Sequence, residues 1–466
     1  MNPFASAYDV VFRRCGPALA DRVRRAQGHA LFCQAQQETS LPLDLQQAAL
    51  NARVLKLLQA AQHVPHYADA FAERQLEIEP EQPLNTLQAL PVLTKDDLKR
   101  DPQSLVMPGY EGPLPKIQTA GSTGSPLKAY VDPVVPSVVT AAMYLGRSWW
   151  GVEPGSRSVS LWGHSKYLAD SLQAKVKLAR RHLFDAAMNR RVFPAYDLGP
   201  EKLKQFWNLI AEFQPAYVVG YATALSTAAE YLNEHGATPK LQRALDQLKA
   251  VVSTGEMLYD WQAETIRQAF DAPAVREYGL CEAGSAAYEH PDGHLYAISP
   301  FYHIELLDEQ GQPVAPGGLG RIVITSLLGT TVPLIRYDTG DLAREVAADP
   351  KAPLLRRLGP VQGRAYDLIY TADGSARPGV LFTHAMKYLD EVERYQIVQN
   401  AYGQLDVYYA CPHPLNEDRL RVVRERLHSA AAGDIALHFH HRAQLEQEAS
   451  GKFRWIKSNL PNRRTA

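Results

Sequence analysis

Cysteine is scarce. Only Cys15, Cys33, Cys281 and Cys411 occur in 466 residues, and no two share a paired spacing. That excludes a disulfide-stapled scaffold and fits a reducing cytosol. Charge of one sign is also lacking. The net charge is −1, so nothing global points to nucleic acid or to an anionic membrane surface. No apolar run is long enough to span a bilayer. The N-terminus reads Met-Asn-Pro-Phe and carries charges through its first stretch, so it lacks a signal-peptide core. No internal repeat and no low-complexity tail is present. G-x-S-x-G, H-E-x-x-H and G-x-G-x-x-G are absent too, which removes the common hydrolase, zincin and dinucleotide readings. What remains is 46% hydrophobic and 21% charged, the composition of a soluble globular protein. The length allows a large core and two domains or more. The expectation is a cytoplasmic protein with no nucleic-acid partner and no membrane insertion.

Against those absences, Thr119-Ala-Gly-Ser-Thr-Gly-Ser-Pro-Leu-Lys128 stands out. Gly121 and Gly124 open backbone angles closed to other residues. Exposed N–H groups, with Ser122, Thr123 and Ser125, can then cradle phosphate oxygens. It is not the G-x-x-x-x-G-K-[ST] loop, since Lys128 comes four residues after Gly124. A plain Gly/Ser connection between strands is the competing reading.

Residues 1–110 read mostly helical. Leu50, Val54, Leu57 and Leu58 keep a helical period that His63-Val-Pro-His-Tyr67 stops. Thr94 is placed as a helix cap, with Asp97 where a capping box wants an acid. Beyond the glycine loop, strands and helices alternate. Strands are expected at Ser158–Trp162, Pro215–Tyr221, Leu248–Ser253 and Ala274–Tyr278. Helices are expected around Leu203–Ile210, from 222 to about Asn233, and over 258–270. Such alternation predicts a parallel, helix-covered sheet with ligands beyond the strands' carboxyl ends. From about 300 to 365, Phe301–Leu307, Gly320–Ser326 and Val332–Tyr337 read as strands of a small antiparallel subdomain. The last hundred residues read as β-β-α-β, from Arg394–Gln399, Leu405–Ala410, the Leu420/Val423/Leu427 helix and Ile435–His440. The fold class is therefore α/β: a large N-terminal domain, 1–366, and a small mobile α+β C-terminal domain, 367–466.

Several constellations carry chemistry. Glu282, after a strand end, is a candidate Mg²⁺ ligand or a solvated loop acid. Arg336-Tyr-Asp-Thr-Gly-Asp341 puts two acids around what reads as a Thr-Gly turn. Asp338-Thr-Gly340 spells the aspartic-protease triplet, but that chemistry needs two facing copies and only one is here. Gly363-Arg-Ala-Tyr-Asp367 sits at the domain boundary, and Gly451-Lys-Phe-Arg-Trp455 is unusual for a fraying tail. His438 and His440 share a strand face without partners at ligand spacing. Lys175, Lys177, Arg180, Arg181, Arg190 and Arg191 read as decoration of an exposed helix, with the holding of a coenzyme's phosphates as the alternative.

Together these motifs resemble the acyl-adenylate-forming superfamily, and within it the phenylacetate–coenzyme A ligases and their capsule-biosynthesis relatives. The likeness runs from about Leu50 to the end of the chain. Val64-Pro-His-Tyr67 and Leu90-Pro-Val-Leu-Thr-Lys95 look like that branch's N-terminal marks. Gly121–Gly124 is similar to its ATP phosphate loop, and Tyr278–Glu282 to its aromatic-Gly-x-x-Glu motif. Arg336–Asp341 resembles its ribose-binding motif, Gly363-Arg364 its hinge motif, and Gly451–Arg454 its C-terminal lysine motif.

The resemblance implies roles. Ser122, Thr123 and Gly124 would touch the β,γ-phosphates, and Glu282 would hold Mg²⁺. Gly255, Glu256, Tyr278 and Gly279 would border the adenine. Asp341 would bind the ribose hydroxyls with Arg364 beside it. Lys452 would reach the carboxylate and α-phosphate as the catalytic lysine, and Asp367 would be the hinge. Trp162, His164, Tyr217, Gly220 and Tyr221 are placed to line the acid pocket, which favours an aromatic or compact acid over a long fatty chain. The expected substrates are ATP with Mg²⁺, a small carboxylic acid and coenzyme A, acting on a monomer or homodimer. Transfer of the acyl group to an amine, a hydroxyl or a carrier protein is the alternative, and a non-catalytic nucleotide sensor is the alternative of a different class. Two departures are visible. The phosphate loop reads Ala-Gly-Ser-Thr-Gly, which still supplies hydroxyls. The stretch before Gly363 lacks the Cys-x-Cys-Gly pair with which some relatives bind zinc, so no zinc is expected although Cys281, His290 and His294 lie nearby in sequence.

Overall fold

A computed structural model describes residues 15–22, 26–118, 128–162, 185, 188–195, 198–349, 355–364, 368–374, 376–378, 382, 386, 391–392, 394–431, 434–445 and 453–460. The chain divides into two compact units. One comprises 1–339 with 344–360, and the other 340–343 with 361–466.

The first unit opens with helices α1 (Gly28–Thr39), α2 (Leu43–Ala61), α3 (Pro65–Glu73), α4 (Pro83–Ala89) and α5 (Lys95–Arg100). Val54, Leu57, Leu58 and Ala61 are the buried stripe of α2. Pro65 sits at the start of α3, where its missing N–H is no loss, so the same short stretch ends one helix and begins the next. The capping box of α5 forms as the sequence predicts: Asp97 N donates to Thr94 Oγ1 at 3.2 Å, and Thr94 N to Asp97 Oδ2 at 2.9 Å. A hairpin follows, β1 (Lys116–Gln118) and β2 (Lys128–Tyr130), and its tip, 119–127, lies outside the described residues.

After α6 (Val135–Ser148) come β3 (Ser158–Trp162), β4 (Arg190–Pro194), α7 (Pro200–Phe213), β5 (Tyr217–Gly220), α8 (Ala222–His235), α9 (Pro239–Leu245), β6 (Ala250–Thr254), α10 (Asp260–Phe270) and β7 (Ala274–Leu280). β3 to β7 pair in parallel. Phe206, Trp207 and Phe270 from α7 and α10 pack on Val159, Leu161, Val218 and Val251 of the sheet. Trp207 Nε1 donates to the Ala228 carbonyl at 3.0 Å, so this indole is buried with its N–H paired.

The antiparallel strands are not a separate sheet. β8 (Gly284–Glu289) turns back on β7, β9 (Leu295–Ala297) pairs with β8, and β10 (Tyr302–Leu307), β11 (Leu319–Ser326), β12 (Tyr337–Glu345) and β13 (Arg357–Arg364) complete one mixed sheet. Its order is β10-β11-β12-β13-β9-β8-β7-β6-β5-β3-β4. The tight turn after β7 lets the hydrogen-bond ladder continue antiparallel where the parallel run ends. Three further expectations are corrected. Residues 332–336 are not a strand, and Asp338-Thr-Gly340 is strand interior rather than a turn. Arg336 takes φ +50°, and Leu93 brackets the next residue, Tyr337: Leu93 N donates to Arg336 O at 3.0 Å and Asp338 N to Leu93 O at 2.9 Å. Arg190 and Arg191 lie in edge strand β4, not on a helix. Arg190 pairs with Asp185, and the Arg191 guanidinium stands 4.8 Å from the Phe213 ring centre. Charged side chains on an edge strand also discourage pairing with another chain.

The second unit holds β14 (Leu368–Tyr370) and β15 (Ala376–Pro378), then β16 (Arg394–Ala401), β17 (Gln404–Ala410), α11 (Glu417–Ala431), β18 (Ala436–Arg442) and β19 (Ile456–Ser458). Its main sheet has the order β18-β17-β16-β19, with Val423, Leu427 and Ala431 of α11 packed on Ile397, Leu405 and Val407.

Candidate functional site

The parallel strands end at Trp162, Gly220, Thr254 and Leu280, which line up as a rim along the carboxyl edge of the sheet. A Cβ at Gly220 would stand 2.9 Å from the Leu161 carbonyl, so β5 needs glycine to pair closely with β3. Tyr221, next in chain, packs its ring 4.5 Å from Trp162 at 30°. Gly220 is in register with Ser253, which brings the turn after β6 beside the start of α8. There Thr223 N donates to Glu256 Oε2 at 2.9 Å. Glu256 thus caps α8, its negative charge set against the helix's positive end. Gly255 reaches this geometry at φ +75°. The Thr223 and Ser253 hydroxyls are buried there without a hydrogen-bond partner among the described residues.

Tyr217 belongs elsewhere. It starts β5, about 10 Å from the rim along the strand. Its Oη accepts from Arg147 Nη1 at 3.1 Å, and Arg147 faces Glu277 at 3.5 Å, the carboxylate that also takes the Tyr288 hydroxyl and Ser285 Oγ. The structure therefore gathers Trp162, Gly220, Tyr221, Gly255 and Glu256 and leaves Tyr217 in a buried polar network under the sheet.

β7 leads to the acid. Tyr278 is 9% exposed, and a register shift in the pairing with β8 falls between Tyr278 and Gly279. A Cβ on Gly279 would meet the Gly284 carbonyl at 2.7 Å, so glycine is what this bulge admits. Glu282 follows in the turn, half-buried. The Tyr302 hydroxyl holds that turn, donating to Ala283 O at 2.6 Å, and the Tyr337 hydroxyl reaches the side chain, donating to Glu282 Oε1 at 3.2 Å. Burial raises the Tyr302 hydroxyl's pKa, so it remains a donor. Gly284, at φ +89°, closes the turn against Val139.

Glu282 lines a small recess bounded also by Leu98, Ile117, Tyr130, Asp132 and Leu334. Ile117 and Tyr130 belong to the arms of the β1–β2 hairpin that carries the glycine loop. Asp132 is fully engaged, accepting from Val134 N at 2.9 Å, Thr331 N at 2.7 Å and Val332 N at 3.0 Å. Glu282 Oε2 has no hydrogen bond among the described residues. No three His, Cys, Asp or Glu side chains among those residues form a closed metal-binding set. One open carboxylate oxygen suits a hard cation such as Mg²⁺ that takes its other ligands from phosphates and water.

Asp341 lies in β12 and Arg364 ends β13. Ser122, Thr123, Gly124, His164, Asp367 and Lys452 lie outside the described residues. Just past Lys452 the chain is anchored: Phe453 is 4% exposed with its ring 5.0 Å from Trp455, and Gln396 Nε2 donates to Arg454 O at 2.9 Å. His440 Nε2 pairs with Asp406 Oδ1 at 2.9 Å on the C-terminal sheet. Two features of the rim were not legible in advance, the Glu256 cap and the Tyr337 bond to Glu282. Both depend on contacts between segments far apart in sequence, and the only signal was that each residue sits inside a motif.

Residues 369–459 match a family described as the CapK C-terminal domain. The chain is 22% identical over 379 residues to Protein CapK of Staphylococcus aureus, covering 80% of each. It is 25% identical over 378 residues to a phenylacetate-coenzyme A ligase of Pseudomonas putida, covering 79% of this chain and 82% of that one. Among solved structures, 2-hydroxyisobutyryl-CoA ligase in its postadenylation state with 2-HIB-AMP superposes with a TM-score of 0.70 at 16% identity, covering 92% of each chain. The large mixed sheet and the separate small C-terminal sheet are thus the acyl-CoA ligase fold.

Proposed function

We propose that this chain, a distant homologue of CapK and of the phenylacetate–coenzyme A ligases within the adenylate-forming superfamily, activates a carboxylic acid as acyl-AMP and passes the acyl group to coenzyme A. It is an adenylate-forming ligase of the acyl-CoA ligase type. The observation that carries this reading is the placement of Glu282, which lines a recess walled by the base of the glycine-loop hairpin.

In the first half-reaction an oxygen of the acid attacks the α-phosphorus, the bond to the bridging oxygen breaks, and its electron pair leaves with pyrophosphate. Ser122, Thr123 and Gly124 hold the β,γ-phosphates, and Lys452 neutralises charge on the acid and α-phosphate as they meet. Mg²⁺ held by Glu282 would screen the triphosphate and stabilise the departing pyrophosphate. Gly255, Tyr278 and Gly279 border the adenine, and Glu256 supports that border by capping α8. Asp341 and Arg364 hold the ribose. Trp162, His164, Gly220 and Tyr221 surround the acid, and the Trp162–Tyr221 pair favours an aromatic or compact one. In the second half-reaction the thiol sulfur attacks the acyl carbon, AMP leaves with the C–O electron pair, and the thiol proton passes to solvent. A mobile C-terminal domain hinged at Asp367 presents different groups to the two steps.

A second reading keeps the first half-reaction and passes the acyl group to an amine, a hydroxyl or a carrier protein. The match of residues 369–459 to the CapK C-terminal domain favours it, since acceptor choice belongs to the step for which that domain is expected to move.

The test is acid-dependent ATP–pyrophosphate exchange over aryl, short-chain and amino acids, followed by product analysis with and without coenzyme A. Exchange with at least one acid is expected, and Lys452→Ala should lower it by roughly 10²-fold or more. Exchange that survives that substitution unchanged removes the role given to the lysine. Acyl-adenylate that accumulates despite coenzyme A selects the second reading.

A further inference from the structure

We propose that Tyr337 is a positioning residue for Glu282: its hydroxyl holds one carboxylate oxygen and turns the other toward the divalent cation that accompanies the nucleotide. The inference rests on the adenylating function proposed above and assigns a role to a residue of the Arg336–Asp341 motif that the nucleotide does not need to touch.

Tyr337 is unusually well fixed. It is 2% exposed, among the side chains of the N-terminal helical layer. Leu93 bonds the backbone on both sides of it. The preceding Arg336 is clamped by Glu305, with Nε to Oε2 and Nη2 to Oε1 both at 3.0 Å, and it also donates to the Gln88 and Leu90 carbonyls. Tyr67 secures the approach, accepting from Ile335 N at 3.1 Å and donating to Pro333 O at 2.9 Å. From this immobile base the Tyr337 hydroxyl reaches Glu282 Oε1.

The turn itself needs no help from that bond. Tyr302 already ties Ala283 O, and Gly284 packs on Val139. What those contacts leave free is the Glu282 side chain, a flexible chain ending in a half-exposed carboxylate. The Tyr337 bond restrains that remaining freedom. Partners of this kind, which orient a metal ligand without touching the metal, change metal affinity about 10–100-fold when removed.

The test compares full-length wild type with Tyr337→Phe, Glu282→Gln and Tyr288→Phe. Binding of Mn²⁺ in the presence of ATP is followed by electron paramagnetic resonance, with no acid present, and thermal unfolding is recorded alongside. Tyr337→Phe should weaken Mn²⁺ binding about tenfold. It should also raise the Mg²⁺ concentration for half-maximal exchange by a similar factor, with the rate at saturating Mg²⁺ recovered. Tyr288→Phe removes a buried hydroxyl of the same kind from the Arg147–Glu277 network, so it should lower the melting temperature and leave Mn²⁺ affinity unmoved. Unchanged Mn²⁺ affinity in Tyr337→Phe, with affinity lost in Glu282→Gln, overturns the positioning role alone. Unchanged affinity in Glu282→Gln overturns the cation-ligand reading beneath it. If Tyr337→Phe does not fold, Glu282→Asp withdraws the carboxylate from the same hydroxyl, and unchanged affinity there overturns the proposal.

Discussion

His303 on β10 shows how a single side chain can set a response to pH. Its Nε2 is shielded from solvent without a hydrogen-bond partner among the described residues. Burial, with Arg356 and Arg336 opposing a further positive charge, brings its pKa down to about 4. In the unfolded chain the same imidazole titrates near 6.5. The native state therefore refuses a proton that the unfolded state accepts between those values. Above pH 7 both states are neutral and His303 has no effect. As pH falls from 6.5 toward 4 the protein loses stability, by about 2–3 kcal/mol at pH 4.5 from this group. Asp97, Asp292 and Asp406, whose pKa values are lowered, also weaken the fold in acid, so the readout is a difference. Urea unfolding of wild type and His303→Gln at pH 7.5 and 4.5 should show the smaller acid loss in the variant. Equal losses would rule out a neutral native His303.

On α6, packing and helix propensity pull in opposite directions. Replacing Gly146 by alanine in a helix interior normally stabilises by about 1 kcal/mol. Here the new methyl would stand 2.2 Å from Cγ of Tyr288. The ring has little room to retreat, because its hydroxyl is tied to Glu277 within the Arg147 network. Overpacking of that kind costs about 1–3 kcal/mol, so it outweighs the propensity gain. Gly146→Ala should lower stability by about 1–2 kcal/mol in urea unfolding, and an increase would mean α6 does not approach β8 this closely. The same contact explains what the sequence conceals. The apolar strands β3, β5 and β6 and the amphipathic helices over them are legible from periodicity, because burial on a known face dictates their residue types. β8 is not, since Gly284-Ser-Ala-Ala-Tyr-Glu289 is mostly small residues with little strand propensity. Close packing against α6 and pairing with β7 make it a strand. At the site, the motifs reveal Glu282 and Glu256 as residues of interest. They do not reveal that a tyrosine 55 positions later holds one carboxylate or that the other caps α8.

At the scale of the whole molecule, the proposed chemistry is divided between two units. Glu282, Tyr337 and the rim at Tyr221 and Glu256 belong to the unit of residues 1–339 with 344–360, and Lys452 belongs to the other. Adenylation and acyl transfer develop charge on different atoms, so one fixed arrangement of the lysine cannot serve both equally. The Gly363–Asp367 stretch lies just after the chain passes, at residue 361, into the second unit, which is where a few backbone torsions can redirect everything that follows. Proline at a hinge locks φ near −65° and removes the N–H, so it holds the chain to one side of such a swing. Asp367→Pro should therefore separate the two half-reactions. Pyrophosphate exchange reports the first, and single-turnover transfer from preformed acyl-AMP to coenzyme A reports the second. One of the two rates should fall by about a hundredfold relative to the other, as misplacement of a reacting group by an ångström or more does. Rates that fall together, or not at all, would place the hinge elsewhere or show that a single arrangement performs both steps.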